Sequence, residues 1–421
     1  MHRVISLLAL LAATVTIGSC ESDSTLGWDG TMCDSAGVVL VENHGIPMWR
    51  EGDAWTFTKR LRIGVAEGDS TYMFGGITGL VILSNGRVVV GDTQYHTVRF
   101  FSPEGVHLST VGREGAGPGE FGGRINLLLG PGDTILAVDG RNQQASRIAP
   151  DGTWLGSFST VPSNGYWIYS WDDDEATGQI VSLLRPLVGD AAPADIRFDL
   201  LVRRDLYGAF LDTVARLPTI HFVTEEGDSR LLHFYRGEPH YDLCDGMIVT
   251  GHGDAFRLVW QRPDGTVERI ATLDREPLAL TGEDEATLLR RIDVRFEERG
   301  VSQEATAEYK SRLRFESTYP AYRRIVCGPA GTLLLERIRP LRELSEREFQ
   351  NLGTNHRAPG SDEWDVFDRE GRYLGVAPMP VTPHRHAFTQ DTSGAWLMSS
   401  VERGEFDVPY VAVWQIEGKK Q

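Results

Sequence analysis

The chain is expected to fold as an all-β, six-bladed β-propeller closed by an N-terminal strand, with a helical hairpin inserted between blades four and five. Two observations predict this. Leu80–Leu83, Arg87–Val90, Thr97–Phe101 and Val106–Val111 are four short apolar or β-branched runs. They are separated by Ser84-Asn85-Gly86, a polar loop at Asp92–His96, and Ser102-Pro103-Glu104-Gly105. Strands joined this briefly must be antiparallel neighbours, and the resulting meander has two edges and two faces to hide. The same turns then recur. A turn residue followed by a β-branched or apolar run ends at Gly86, Gly132, Gly178, Gly246, Gly331 and Gly394, which lie 46, 46, 68, 85 and 63 residues apart. The second turn recurs at Pro150-Asp151-Gly152, Pro263-Asp264-Gly265 and Arg369-Glu370-Gly371, with a degenerate copy at Asp205–Gly208. Four-stranded units repeating every 40–50 residues or so mark a propeller, and six units predict six blades.

Taken in order, residues 1–19 read as a signal peptide, with a weakly basic His2-Arg3 start and an apolar run at Val4–Ile17 too short for a free membrane span. Ile17-Gly18-Ser19-Cys20 resembles the lipobox of bacterial lipoprotein signal peptides. That resemblance makes Cys20 the lipidated first residue of the mature chain, with palmitate-type acylation and a membrane anchor. Glu21 in place of Asp favours the outer membrane. Residues 20–36 are polar and read as a tether; residues 37–417 are the propeller. Val38–Glu42 and Trp55–Ile63 precede the first repeat as strands, while the last repeat is one strand short, with strands near Ala387–Gln390, Ala395–Ser400 and Tyr410–Ile416. One of the early strands is therefore expected to close blade six. Leu217–Glu238 reads as a loop-like insertion. Residues 281–316 read as helical: Thr281–Asp284 has capping character, Leu288, Leu289, Ile292 and Phe296 share a helical face, Gly300 stops the first helix and Ser302 caps a second.

The formal net charge of −17 repels phosphate backbones, and no basic block interleaved with aromatics occurs, so nucleic acid is not an expected partner. Export permits disulfides among Cys33, Cys244 and Cys327. Buried free thiols are nevertheless the expectation, because neighbouring inner strands of a propeller usually stand too far apart for the bond. The alternatives are a Cys244–Cys327 bridge or pairing of Cys33 with either.

Gly112-Arg113-Glu114-Gly115-Ala116-Gly117-Pro118-Gly119-Glu120-Phe121 resembles the blade-joining segment of NHL-repeat proteins, and Asp133–Asp139 with Arg147–Gly152 fits the same repeat. Over its whole mature length the chain resembles six-bladed β-propeller lipoproteins of Gram-negative bacteria that carry NHL-like repeats. The resemblance implies a fold and a cell-envelope location facing the periplasm or the exterior. It does not imply a reaction.

The nucleophile-elbow, zincin, paired-cysteine and phosphate-loop motifs are all absent, and no catalytic residue is assigned. The loops between second and third strands offer Asp92, His96, Asp139, Arg141, His252, Asp254, Arg337, Arg339, Glu402 and Arg403 as a ligand face. The links into the innermost strands offer His240, Tyr241, Tyr319, Tyr322, His384 and His386. On a strand, the imidazoles of His384 and His386 point to one side, as a metal pair must. The expectation is two hydrogen-bonded histidines without a cofactor; calcium or zinc is the alternative. Two functions follow. One is a membrane-tethered binding or scaffolding propeller that presents its loop face to a protein, peptide or glycan. The other is a metal-assisted lyase or lactonase at the channel mouth.

Overall fold

The computed structural model of the chain describes residues 20–21, 27–161, 166–174, 178–186, 198–218, 232–354 and 357–418. The expected signal peptide lies outside these residues, as does most of the expected insertion at 217–238. Six four-stranded antiparallel meanders stand around one axis. Blade one comprises Ile77–Ile82, Val88–Asp92, Thr97–Phe101 and His107–Val111, within a residue or a few of the runs read from sequence. The innermost strands of the next four blades are Ile125–Gly130, Tyr166–Asp174, Pro239–Cys244 and Ile325–Cys327. Blade six combines Phe388–Gln390, Trp396–Arg403 and Pro409–Glu417 with Thr56–Ile63, which pairs antiparallel to Pro409–Glu417 as the outermost strand.

The repeat is carried by its turns. Gly86, Gly132, Gly178, Gly246, Gly331 and Gly394 all hold positive φ, and so do Gly105, Gly152, Gly208, Gly265 and Gly371 at the second turn. Only glycine enters that region without penalty, which is why the two turns remain readable where strand sequences diverge. The loop after blade one uses glycine for a second reason. A Cβ on Gly112 would lie 2.5 Å from the ring of Phe121, which is buried between blades one and two.

The apolar core is divided among the blade junctions. Val81, Val89 and Phe100 of blade one meet Ile125, Leu127 and Ile135 of blade two. Leu136 and Val138 meet Ile180 at the next junction. Val181 and Leu201 meet Tyr241 and Ile248. Val249 and Trp260 meet Ile325 and Phe367. Val326 and Trp364 meet Met398, and Val411 returns to Leu80 and Val88.

Three findings differ from expectation. First, Val38–Asn43 joins blade four: it pairs parallel to Val267–Leu273 and carries Gly30–Ser35 beyond it, making a seven-stranded sheet. Residues 30–35, expected in a tether, are therefore a strand that covers an otherwise bare edge. Second, Cys244 and Cys327 form a disulfide with Cα atoms 5.2 Å apart, well within bonding range. The expectation of free thiols failed because Cys244 and Cys327 end the innermost strands of blades four and five, where the sheets converge on the axis. Chain-entropy reasoning gives such a bond about 4.5 kcal/mol for the residues it encloses. Third, Cys33 is also disulfide-bonded, and the main-chain ladder sets Cys20 opposite it.

The insertion is helical. α1 spans Gly282–Glu298 behind a Thr281–Asp284 capping box, and α2 spans Gln303–Ser311 behind Ser302. Both pack onto an excursion of blade five that contains α3, Glu346–Asn351, and onto Leu232–Phe234, which pairs parallel with Leu313–Phe315. Among the described residues no helix is long and apolar enough to cross a membrane.

Asn43 fastens the N-terminal strand to the ring. Its Oδ1 accepts Trp28 Nε1 at 2.8 Å and Tyr373 N at 2.7 Å; its Nδ2 donates to Thr272 O at 2.8 Å and Gly371 O at 3.0 Å. Asn43→Ala orphans buried partners on two blades and should cost about 2–4 kcal/mol in chemical unfolding. A loss below roughly 0.5 kcal/mol, the scale of an ordinary surface substitution, would show that Asn43 is not the fastening point.

Candidate functional site at the channel mouth

With most apolar residues drawn into the blade junctions, charged and polar side chains gather on the axis among apolar ones such as Leu80, Leu183 and Val401. A cavity of about 690 Å³ opens there, lined by residues from all six blades. Strand alternation aims the side chains: on an innermost strand residues two apart share a face, so His240 and Asp242 look the same way.

Six arginines line the mouth: Arg124, Arg185, Arg323, Arg324, Arg357 and Arg385. Arg124, Arg323 and Arg324 immediately precede innermost strands, and Arg385 lies in the link to blade six. Arg185 Nε donates to Asp199 at 2.8 Å, with both residues buried. Arg357 forms a forked pair with Glu238, at 2.8–3.1 Å, and also donates to the Tyr169 hydroxyl. The Tyr169 ring lies 3.6 Å from the Arg185 guanidinium carbon. Arg323 and Arg324 converge on one carboxylate, Glu336, at 3.0 and 2.5 Å.

Behind the cavity lining lies an acid pair. Asp172 and Asp242, from the innermost strands of blades three and four, are both buried, and each carboxyl feels the other. Arg385 reaches across the axis to Asp172 at 3.1 Å and to the Tyr241 carbonyl at 2.7 Å, while His386 Nε2 lies 2.8 Å from Asp172. Asp242 also accepts the backbone N–H of Cys327 at 2.7 Å, which ties the pair to the disulfide. Burial, reinforced by the neighbouring Asp172 charge, pushes Asp242 up to about 7. Burial opposes ionisation of Asp172 too, but Arg385 and His386 hold its carboxyl below the usual range. The two carboxyls are thus pushed in opposite directions, Asp242 upward and Asp172 downward. Below them a second cavity of about 620 Å³ opens, with Asp242 and His386 in its lining. His386 lines both cavities.

His384-x-His386 does not lie on a strand. His386 has φ of 59°, and the chain turns there. The two rings diverge: His384 Nε2 meets Ser399 Oγ at 3.2 Å, while His386 faces Asp172. Burial pushes His384 down to about 4 and His240 down to about 3, so both imidazoles are neutral at ordinary pH. Among the described residues no three His, Cys, Asp or Glu side chains converge as metal ligands.

None of the ten loop residues read as a ligand face lines the cavity. Asp92 accepts the N–H groups of Gly75, Gly76, Gln94 and Tyr95, and Asp139 those of Gly122, Arg141 and Asn142; both brace their loops. His96 adopts positive φ in the first of these loops. His252 pairs with Asp254 at 2.8 Å, Arg337 with Glu363 at 2.7 Å, Arg339 with Glu348 at 2.7 Å, Glu402 with Lys59 at 2.7 Å, and Arg403 with Asp407 at 3.2 Å. Of the link residues, His240, Tyr241, His384 and His386 do line it. Tyr322 is buried at the blade four–five junction, and the Tyr319 hydroxyl accepts Leu341 N beside the insertion. The sequence signal that was missed is a charged residue at or just before an innermost strand: Arg124, Asp172, Asp242, Arg323 and Arg324.

No protein-family model matches the chain, and no curated protein matches it. Among solved structures, a member of the DUF4221 family from Bacteroides vulgatus is similar at TM-score 0.53 and 11% identity, covering 87% of this chain and 100% of that one. A Bacteroides fragilis protein assigned as exported reaches TM-score 0.49 at 10% identity, covering 90% and 100%. Virginiamycin B lyase from Staphylococcus aureus reaches 0.39 at 8% identity, covering 86% and 99%. At such identities the likeness concerns the fold alone.

The acid pair predicts a pH dependence. Its raised native value lets Asp242 keep a proton that the unfolded chain has already lost, so its contribution to stability falls as pH rises from about 4 to about 7 and levels off above that. Asp242→Asn mimics the protonated acid. Its stability relative to wild type should improve as pH rises from 5 to 8 in urea unfolding. A difference that does not change with pH would mean that Asp242 is ionised throughout.

Proposed function

We propose that this chain is an extracytoplasmic binding propeller, tethered to the cell envelope through lipid on Cys20, whose channel mouth receives a protein, peptide or glycan ligand. The observation that carries the reading is the cavity of about 690 Å³ itself, built jointly by all six blades and lined by side chains already held in place by their neighbours. Ligand sites are concave and largely preformed, with a few polar groups fixed in orientation. Tyr169, Arg357 and Glu238 hold one another in this way. A metal-assisted lyase or lactonase has no corresponding support, because His384 and His386 diverge.

The test is occlusion. Asn126 lines the mouth on the innermost strand of blade two. Mature protein and its Asn126→Trp variant should be compared on peptide and glycan arrays. The wild type should retain ligands that the variant binds at least about tenfold more weakly, with the unfolding temperature unchanged. Equal binding by the two proteins would remove the mouth as the site.

The tether has its own test. The Ile17-Gly18-Ser19-Cys20 sequence supports lipidation, while the ladder sets Cys20 opposite the disulfide-bonded Cys33. A thioether to lipid at Cys20 and a disulfide at the same sulfur exclude each other. Cys20→Ala should release the protein from the membrane fraction or leave it unprocessed, and the N-terminal peptide of the wild type should carry acyl mass. Unchanged membrane retention with a trimmed N-terminus would exclude the lipid.

A further inference from the structure

We infer that the channel mouth is an oxyanion site in which Arg323, Arg324 and Arg357 receive a carboxylate, phosphate or sulfate group of the ligand; this rests on the binding reading above. The first observation is the sign of the charge. A chain with net charge −17 gathers six guanidinium groups around one cavity, against five carboxylates: Asp172, Asp199, Glu238, Asp242 and Glu336. Of these five only Glu238 lines the mouth; the others lie behind the arginines they pair with.

The second observation is how those charges are shared. A structural ion-pair network tends towards one anion for each cation, because an unbalanced buried charge carries its full desolvation penalty. Here Arg323 and Arg324 share Glu336, which is 2% exposed and accepts both. One positive charge is left over. Arg324 is 35% exposed towards the cavity, and burial already works against its charge. A second oxyanion from solution would complete the pairing. Arg124 Nε, on the rim, donates to the side-chain Oδ1 of Asn126 at 3.2 Å, and Arg124 has no carboxylate within 4.0 Å among the described residues.

The third observation is preset geometry. The Arg357 plane is fixed by Glu238 and Tyr169, and Arg323 by Glu336 together with the Ala358 carbonyl at 3.0 Å. Guanidinium groups held in place bind planar or tetrahedral oxyanions through paired N–H donors, with little further loss of freedom. Tyr169 and His240 supply flat faces beside them for the uncharged part of the ligand. The acidic exterior repels anions at long range, so recognition depends on short-range contacts in a confined site.

Calorimetric titration of the intact mature protein at low ionic strength tests this. The probes are citrate, inorganic phosphate and sulfate, with glucose as the uncharged control. At least one anion should bind saturably while glucose does not, and added sodium chloride should weaken the binding. Citrate without phosphate or sulfate identifies a carboxylate ligand; the reverse identifies a phosphate or sulfate ester. Arg324→Gln should weaken binding about tenfold or more, with Arg324→Lys intermediate. Should Arg324→Gln not fold, Arg323→Gln serves, since it leaves the Arg324–Glu336 pair intact. Failure of every anion to bind, or wild-type affinity in a folded glutamine variant, overturns the oxyanion site. Array ligands still blocked by Asn126→Trp would then leave the binding propeller standing, whereas loss of that blocking removes both.

Discussion

A four-stranded sheet with two apolar faces has nowhere to stand except between two others like it. That constraint governs this structure. Each blade buries one face against its predecessor and one against its successor, and the ring arises because six such contacts return to the first. The last sheet draws its outer strand, Thr56–Ile63, from the opposite end of the chain. Since the junctions hold most of the apolar core, the axis can also carry polar groups. There charged side chains gather without displacing core.

The charges gathered there come from far apart in the chain. Asp172, Asp242 and Arg385 belong to blades three, four and six and meet only because innermost strands converge. Buried ion pairs seldom repay their desolvation. This set is held by dense mutual pairing, and the upward push on Asp242 eases what would otherwise be two adjacent buried anions. The shared Glu336 is where that balance is incomplete, and its two partners, Arg323 and Arg324, line the cavity.

Much of the ring was legible because its turns depend on a backbone conformation that glycine alone adopts freely. Even the degenerate turn at Gly208 has the positive φ of the others. The insertion was legible for a similar reason: Thr281, Gly300 and Ser302 mark helix ends through local hydrogen bonding and chain reversal, with little help from distant residues. The mouth was not legible in the same way. Loop carboxylates such as Asp92 and Asp139 look available in sequence, yet they are consumed by their own backbone. Arg324 and Asp172 sit within or beside strands where periodicity anticipates apolar side chains. Only the assembled ring shows that those positions face the axis. The His384-x-His386 spacing misled because one left-handed residue, His386, replaced a strand with a turn.

The Cys244–Cys327 bond also has a topological consequence. It joins the innermost strands of blades four and five, and the entire helical insertion lies on the loop between them. A protease that cuts at the turn around Gly300 makes two polypeptides but one molecule. The circumference of the ring remains covalently continuous through sulfur, bypassing the interrupted backbone. A cut within the helical insertion therefore leaves blades four and five covalently linked.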